Sequence, residues 1–223
     1  MNKLVIKTSE LFDLSNSLLK SYFDKTTYPW ELLPEIKTII QELLDKGIPG
    51  YHLVSEGVLV GEGVSIASTA TIIPPAIIGA KTEIRPGAYL RGNVIVGDNC
   101  VLGNSCEFKN CILLYHVQVP HYSYVGDSIL GNYAHIGAGS ICSNLKSAND
   151  KVVVHADKDY QTGLRKFGAM LGDYADIGCQ CVLNPGTIIG PHAQVYPLSM
   201  VRGVVPERSI FKGKDNIVAK ENR

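Results

Sequence analysis

Branched apolar residues return along the chain every six positions: Val54, Val60, Ile66, Ile72, Ile78, Ile84, Leu90, Val96, Leu102 and Phe108. Four places after each stands a small or β-branched residue, from Val58, Val64 and Ala70 to Ala88, Val94, Cys100 and Cys106. The register slips by one residue to Leu113, Val119 and Val125, slips again to Leu130 and Ile136, and returns at Leu171, Ile177, Leu183, Ile189, Val195 and Val201. A period of six matches neither a helix nor a long alternating strand. It matches short strands joined by tight turns, each side of a triangular coil turning one large and one small residue inward while the coils stack by parallel hydrogen bonds. The pattern therefore predicts a mainly β protein: a parallel β-helix over residues 51–205, preceded by a helical segment over 1–50 and followed by a short tail over 206–223.

Two stretches leave the repeat. Leu11, Leu14, Leu18 and Leu19 follow Thr8 and Ser9 at helical spacing and predict one helix; Ile36, Ile39, Ile40, Leu43 and Leu44 predict a second over 34–46, ended by Gly47 and Pro49-Gly50. Residues 143–170 form an inserted loop that carries Lys146, Lys151, Lys158, Arg165 and Lys166. A loop of that length inside a compact repeat usually serves function.

Composition limits the partners. Lys+Arg and Asp+Glu both total 21, so there is no bulk field to gather nucleic acid or an acidic membrane, and an anion has to be held by local geometry. No apolar run approaches the roughly 18 residues of a membrane span, and Met1-Asn2-Lys3-Leu4 does not open a signal peptide, so a cytoplasmic protein is expected. The six cysteines are expected as free thiols, with Cys100, Cys106 and Cys181 in the small inward position and Cys142 in the large one as compact apolar fillers. Cys179 and Cys181 are too closely spaced for a zinc knuckle, and no metal site is expected.

Residues 107–144 are dense in polar groups that a coil wall does not need: Glu107, Lys109, His116, His121, Tyr122, Tyr124, Asp127, Asn132, His135 and Asn144. Both register slips fall there, and a slip re-aims side chains as a bulge does. The repeat resembles the hexapeptide-repeat family of left-handed β-helices, which is what implies left-handedness here. Ile84-Arg85-Pro86-Gly87-Ala88, Glu107-Phe108-Lys109, His121-Tyr122-Ser123-Tyr124-Val125-Gly126-Asp127 and Ile136-Gly137-Ala138-Gly139-Ser140 look like the acetyltransferase half of the bifunctional enzymes that make UDP-N-acetylglucosamine. Thr162-Gly163-Leu164-Arg165-Lys166-Phe167-Gly168-Ala169 resembles a loop of the archaeal versions, and Tyr28-Pro29-Trp30-Glu31-Leu32-Leu33 the segment joining the two halves.

The resemblance implies an acetyl-CoA-dependent N-acetyltransferase acting on an amino-sugar phosphate, glucosamine 1-phosphate foremost, working as a homotrimer with sites between neighbouring coils. It carries the general base onto His121, an assisting asparagine onto Asn144, the sugar-phosphate contacts onto Arg85, Lys109 and Tyr124, and the acetyl-CoA site onto Gly137 and Ala138. His135 stands where the family has an asparagine on the sugar, Cys179 where it has a serine and Pro197 where it has an alanine. Of a uridyltransferase half, the only glycine string to compare is Gly61-Glu62-Gly63, inside a coil turn.

Acyl transfer to an amine needs a base, donors for the thioester oxyanion, and an anion site for a phosphorylated acceptor. His121, backbone N–H groups around Gly137 and Gly139, and Arg85 with Lys109 can supply these. Arg202, Arg208, Lys212 and Lys214, or the 143–170 loop, are expected to meet the CoA phosphates. Blander roles stand beside these: His121 and Arg85 as solvated turn residues, Lys109 paired with Glu107, and His135 as sugar contact or structure. Rival functions are a non-catalytic scaffold or regulatory subunit and a γ-type carbonic anhydrase, for which His116 and His121 have the spacing but only His52 lies upstream.

Overall fold

The computed structural model describes residues 4–214 and 216–221; the first three residues read above for a leader, and Asp215 and the last two residues of the tail, lie outside them. Short strands, most of two to four residues, stack into three sheets that wrap one column of buried side chains. Side one runs from Val58–Gly61 through Val94–Val96 and Cys111–Leu113 to Val204–Val205; side two from Ser65–Ile66 through Gln118–His121 and His135–Ile136 to Ser209–Gly213; side three from Thr71–Ile73 through Glu107–Lys109 and Tyr124–Gly126 to Met200–Val201. Within the coil all pairings are parallel, while antiparallel Tyr51–Ser55 and Asn216–Ala219 close the outer edges of sides one and two. The hexad reading of a β-helix is borne out, with one correction at its start. Val54 is 48% exposed on the antiparallel edge strand, so the inward register begins at Val58 and Val60.

All six cysteines are free; Cys100, Cys106, Cys111, Cys142 and Cys181 are buried and Cys179 is exposed. Desolvation pushes the thiols of Cys100 and Cys142 up to about 12, which removes either as a nucleophile at neutral pH. Alkylation of the native protein by iodoacetamide near pH 8 is accordingly expected to modify Cys179 alone within minutes, read by peptide mass spectrometry.

The N-terminal segment is helical only in part. Thr8–Leu11 and Lys20–Phe23 are single turns, and the helix expected across Leu11 to Leu19 does not form. Tertiary bonds replace it: Asp173 accepts the Asp13 N–H at 2.7 Å and donates its own N–H to the Leu11 carbonyl at 2.9 Å, holding residues 11–13 against a coil corner, after which the chain passes through turns to Leu19. The second expected helix is present as Ile36–Lys46, entered through a 3-10 turn at Pro29–Glu35 that begins with proline. Its buried face, Ile36, Ile39, Ile40 and Leu43, joins Phe23, Trp30 and the loop residues Val152, Val154 and Phe167 in a second core. That core covers the outward column of side one, Leu59, Ile77, Ile95, Ile112, Ile129, Met170 and Ile188. Each such side chain is worth about 1.5–3 kcal/mol when taken from water, so the segment and the loop are integral to the coil.

Both register slips sit at the third corner, between sides three and one. Val96 pairs with Leu113 and Leu113 with Leu130, seventeen residues apart, whereas Ile78 pairs with Val96, eighteen apart. The shortened turns place Asn110 and Asp127 at positive φ, 49° and 47°, a region that asparagine and aspartate tolerate better than most.

Candidate functional site

Asp127, one of the two residues set by the slips, organises a polar cluster. It is 4% exposed. Its carboxylate accepts from Lys109 Nζ at 3.2 and 3.4 Å, from Asn110 Nδ2 at 2.9 Å and from Asn144 Nδ2, while Asn144 Nδ2 also reaches the Tyr124 hydroxyl at 3.1 Å. Lys109 therefore pairs with Asp127, and Glu107 pairs with Arg91 at 2.6 Å; the surface pair of Lys109 with Glu107 is not formed. The Tyr124 ring lies along the strand over Gly126, where a Cβ would sit 2.3 Å from its hydroxyl, so only glycine lets the ring reach Asn144. Burial, followed by the nearby Asp127 charge, pushes the Tyr124 hydroxyl up and keeps it a donor. Asp127→Ala strands three donors, and it is expected to cost about 1–3 kcal/mol of stability, read as a lower urea midpoint at unchanged slope.

A second group of the expected residues lines the second corner, between sides two and three. In each coil one residue precedes the positive-φ turn position: Pro86, Asn104, His121, Ala138, Cys179 and Pro197 precede Gly87, Ser105, Tyr122, Gly139, Gln180 and Leu198. From Ser105 onward each turn residue donates its N–H to the preceding coil's member of that column, as Gly139 does to His121 at 3.1 Å, Gln180 to Ala138 at 2.8 Å and Leu198 to Cys179 at 2.9 Å. With adjacent strands about 4.8 Å apart, Ala138, Cys179 and Pro197 follow His121 at roughly 5, 10 and 14 Å along one edge. The His121 imidazole is exposed and makes no hydrogen bond among the described residues.

The ladder sorts the backbone donors expected around Gly137 and Gly139. The Gly137 N–H is spent on the Ile177 carbonyl at 2.7 Å and the Gly139 N–H on that of His121. The Ala138 N–H between them has no partner among the described residues, and it stands one coil from His121. Sequence spacing names the stretch but not the donor, because which of three consecutive N–H groups is free depends on the ladder.

Arg85 and His135 stand apart from both groups. Arg85 lies at the second corner two coils before His121, paired with Glu83 at 3.1 Å. On the outward row of side two, His135 Nδ1 meets Asp176 Oδ1 at 2.9 Å and Gln194 holds the other oxygen at 3.3 Å. The His135 hydrogen bond leads in holding the Asp176 carboxyl below its ordinary value, against burial.

Of the tail cations, Lys212 lies over the Tyr196 ring at 5.4 Å, next to Pro197, whereas Arg202 and Arg208 occupy the third and first corners. Arg165 and Lys166, with Asn110, Asp127 and Leu145, line a cleft of about 500 Å³ beside Asn144. Among the described residues Arg165 has only an asparagine partner, Asn149 at 3.4 Å. No cluster of three metal-ligating side chains forms among the described residues, and His116 and His121 lie on different corners.

Comparison with known proteins agrees with the resemblance read from residues 84–144. The GMPPB C-terminal domain family matches residues 72–159. The bifunctional protein GlmU of Methanococcus aeolicus is 32% identical over 117 residues, 52% of this chain and 28% of the relative. The bifunctional sugar-1-phosphate nucleotidylyltransferase/acetyltransferase of Sulfurisphaera tokodaii is 34% identical over 107 residues, 48% of this chain and 27% of the relative. The chain thus spans under a third of the length of these relatives. Among solved structures, a point mutant of AntD, an N-acyltransferase from Bacillus cereus in complex with dTDP and coenzyme A, superposes with a TM-score of 0.46 at 19% identity, over 82% of this chain and 89% of that one.

Proposed function

We propose that the chain is an acetyl-CoA-dependent sugar N-acetyltransferase whose acceptor is an amino-sugar phosphate, glucosamine 1-phosphate foremost. One observation carries the reading: the His121 imidazole and the Ala138 N–H one coil away both lack partners among the described residues, on an edge that continues past Cys179 and Pro197 to Lys212. In the proposed reaction the acceptor amine attacks the thioester carbonyl and His121 takes the amine proton. The oxygen of the tetrahedral intermediate accepts from Ala138 N–H; the carbonyl then re-forms, the C–S bond breaks, and the imidazolium returns its proton to the CoA sulfur. No covalent enzyme intermediate is required.

The Asp127 cluster fixes the Tyr124 hydroxyl as a donor toward the sugar and, with both Nδ2 hydrogens of Asn144 taken by Asp127 and Tyr124, leaves Asn144 Oδ1 as an acceptor. Since a buried carboxylate offsets the Lys109 charge, Arg165 and Lys166 of the loop add cations for the acceptor's phosphate, with Arg85 as the third. Cys179 forms part of the acetyl-CoA wall in this reading, so saturating acetyl-CoA is expected to slow Cys179 alkylation several-fold. Lys212→Ala is expected to raise the acetyl-CoA KM several-fold at low salt and less at high salt, whereas Arg202→Ala leaves it unchanged.

We also propose a homotrimer. The apolar column of side one is already covered, but Ile141, Val182 and Met200 on side three, with Tyr196 and Leu198 at the second corner, leave an exposed apolar strip beside His121 that an identical wall would bury. A stable, fully active monomer in sedimentation analysis would defeat this. The activity itself is tested by acetyl transfer from acetyl-CoA to a panel of amino-sugar phosphates and nucleotide-linked amino sugars. Transfer to glucosamine 1-phosphate is expected, transfer only to another member reassigns the acceptor, and transfer to none leaves a scaffold.

A further inference from the structure

The first corner, between sides one and two, carries chemistry that the acyl-transfer reading leaves unused. At the positive-φ position of four successive coils stand His116, Tyr133, Tyr174 and His192, at φ 56° to 59°. Earlier coils place Lys81 and Asn99 there, and nothing in the coil demands an aromatic ring at a conformation where bulky side chains are disfavoured. The rings of Tyr133, Tyr174 and His192 stack at 4.8 and 4.7 Å with interplanar angles of 6° and 4°, His116 lies 5.0 Å from Tyr133 on its other face, and Tyr115 meets Tyr133 edge-on at 5.4 Å. Tyr115, Tyr133 and Tyr174 remain 41–47% exposed.

These tyrosines border a cavity of about 370 Å³ roofed by residues 13–19 of the N-terminal segment, at the lower end of the range for small-molecule sites. Its charged lining residues are Asp13, Asp98 and Asp173, with no lysine or arginine among the described residues there. Asp173 is spent on Asn132 and on the Asp13 N–H, and Asp13 on the Ser15 N–H. Asp98 is different: its Oδ1 accepts from Ala80 N–H at 2.7 Å and from the Tyr51 hydroxyl at 3.2 Å, while its Oδ2 has no partner among the described residues. Burial and then the Asp98 charge push the Tyr51 hydroxyl up to about 12, so it stays protonated as that donor.

We infer that this cavity is a second ligand site, separate from the His121 edge, that binds a small organic ammonium ion between the Asp98 carboxylate and the exposed Tyr115 ring. An exposed aromatic ring and an under-used carboxylate both favour a cation, and a lining of acidic groups without basic ones disfavours phosphates, nucleotides and CoA. The roof of residues 13–19 carries Leu18, 45% exposed, and the cavity's apolar floor of Ile95 and Leu114 suits the body of such a ligand. The site does not depend on the proposed acetyl transfer.

The test is titration of the whole chain with choline, followed by calorimetry and ligand-observed NMR, beside its uncharged isostere 3,3-dimethyl-1-butanol. Choline is expected to bind at least tenfold tighter than the isostere, and the more weakly as salt rises. Asp98→Asn keeps the Oδ1 acceptor for Ala80 N–H, and Tyr115→Leu removes an exposed ring but keeps an apolar side chain; each is expected to weaken choline binding tenfold or more with little change in melting temperature. Equal binding of the two probes, no choline binding, or choline binding that Asp98→Asn leaves unchanged would each overturn the site. Variants that melt earlier yet bind choline as wild type would make the ring stack structural only.

Discussion

Ala138→Pro is expected to lower turnover by about 10² to 10³-fold, the usual worth of one oxyanion donor, with the acetyl-CoA KM within a few-fold and the melting temperature nearly unchanged. The substitution deletes one N–H and little else. Proline already fills the equivalent corner position at Pro86 and Pro197, so the turn accepts its fixed φ, and the Ala138 carbonyl still receives the Gln180 N–H. The neighbouring Gly137 and Gly139 donors stay in the ladder, so neither can take over the oxygen. Steady-state kinetics on glucosamine 1-phosphate decides it: turnover within threefold of wild type would return the oxyanion site to another donor. A lost fold would show in the melting curve, and Ala138→Gly, which keeps the N–H, should then retain activity.

His121→Ala is expected to lower turnover by about 10² to 10⁴-fold while leaving assembly and melting intact. The side chain is exposed at a corner and fills no cavity, so its loss carries no packing cost, yet the attacking amine must give up a proton as the amide forms. Arg85→Ala should behave otherwise, raising the KM for the phosphorylated sugar more than it lowers turnover, because a phosphate contact persists from ground state to transition state. His135→Asn is expected to be tolerated, since the Asp176 pair lies on the outward row of side two and an asparagine can still donate to it. Wild-type turnover in purified His121→Ala would end the general-base role. Loss in His135→Ala alone would move that role to His135.

The coil was legible in the chain alone. Inward positions have to be apolar and sized in a fixed alternation, so Val60 to Phe108 and Leu171 to Val201 wrote the stacking register into the residues, and Cys100, Cys106, Cys142 and Cys181 could be read as core fillers. The two slips were marked there too. What local pattern left open was decided by contacts between distant coils. The Leu11–Leu19 pattern looked helical because spacing records only local geometry, whereas Asp173, some 160 residues away, takes the backbone of Asp13 and leaves the segment to turns. Asp127 was visible as one polar residue among ten; its role as the centre of Lys109, Asn110 and Asn144 arises because shortened turns and the returning loop bring those groups to one buried carboxylate. The free N–H at Ala138 and the gathering of His121, Cys179 and Pro197 into one column follow from the parallel ladder, which pairs residues a coil apart and is invisible to any local pattern.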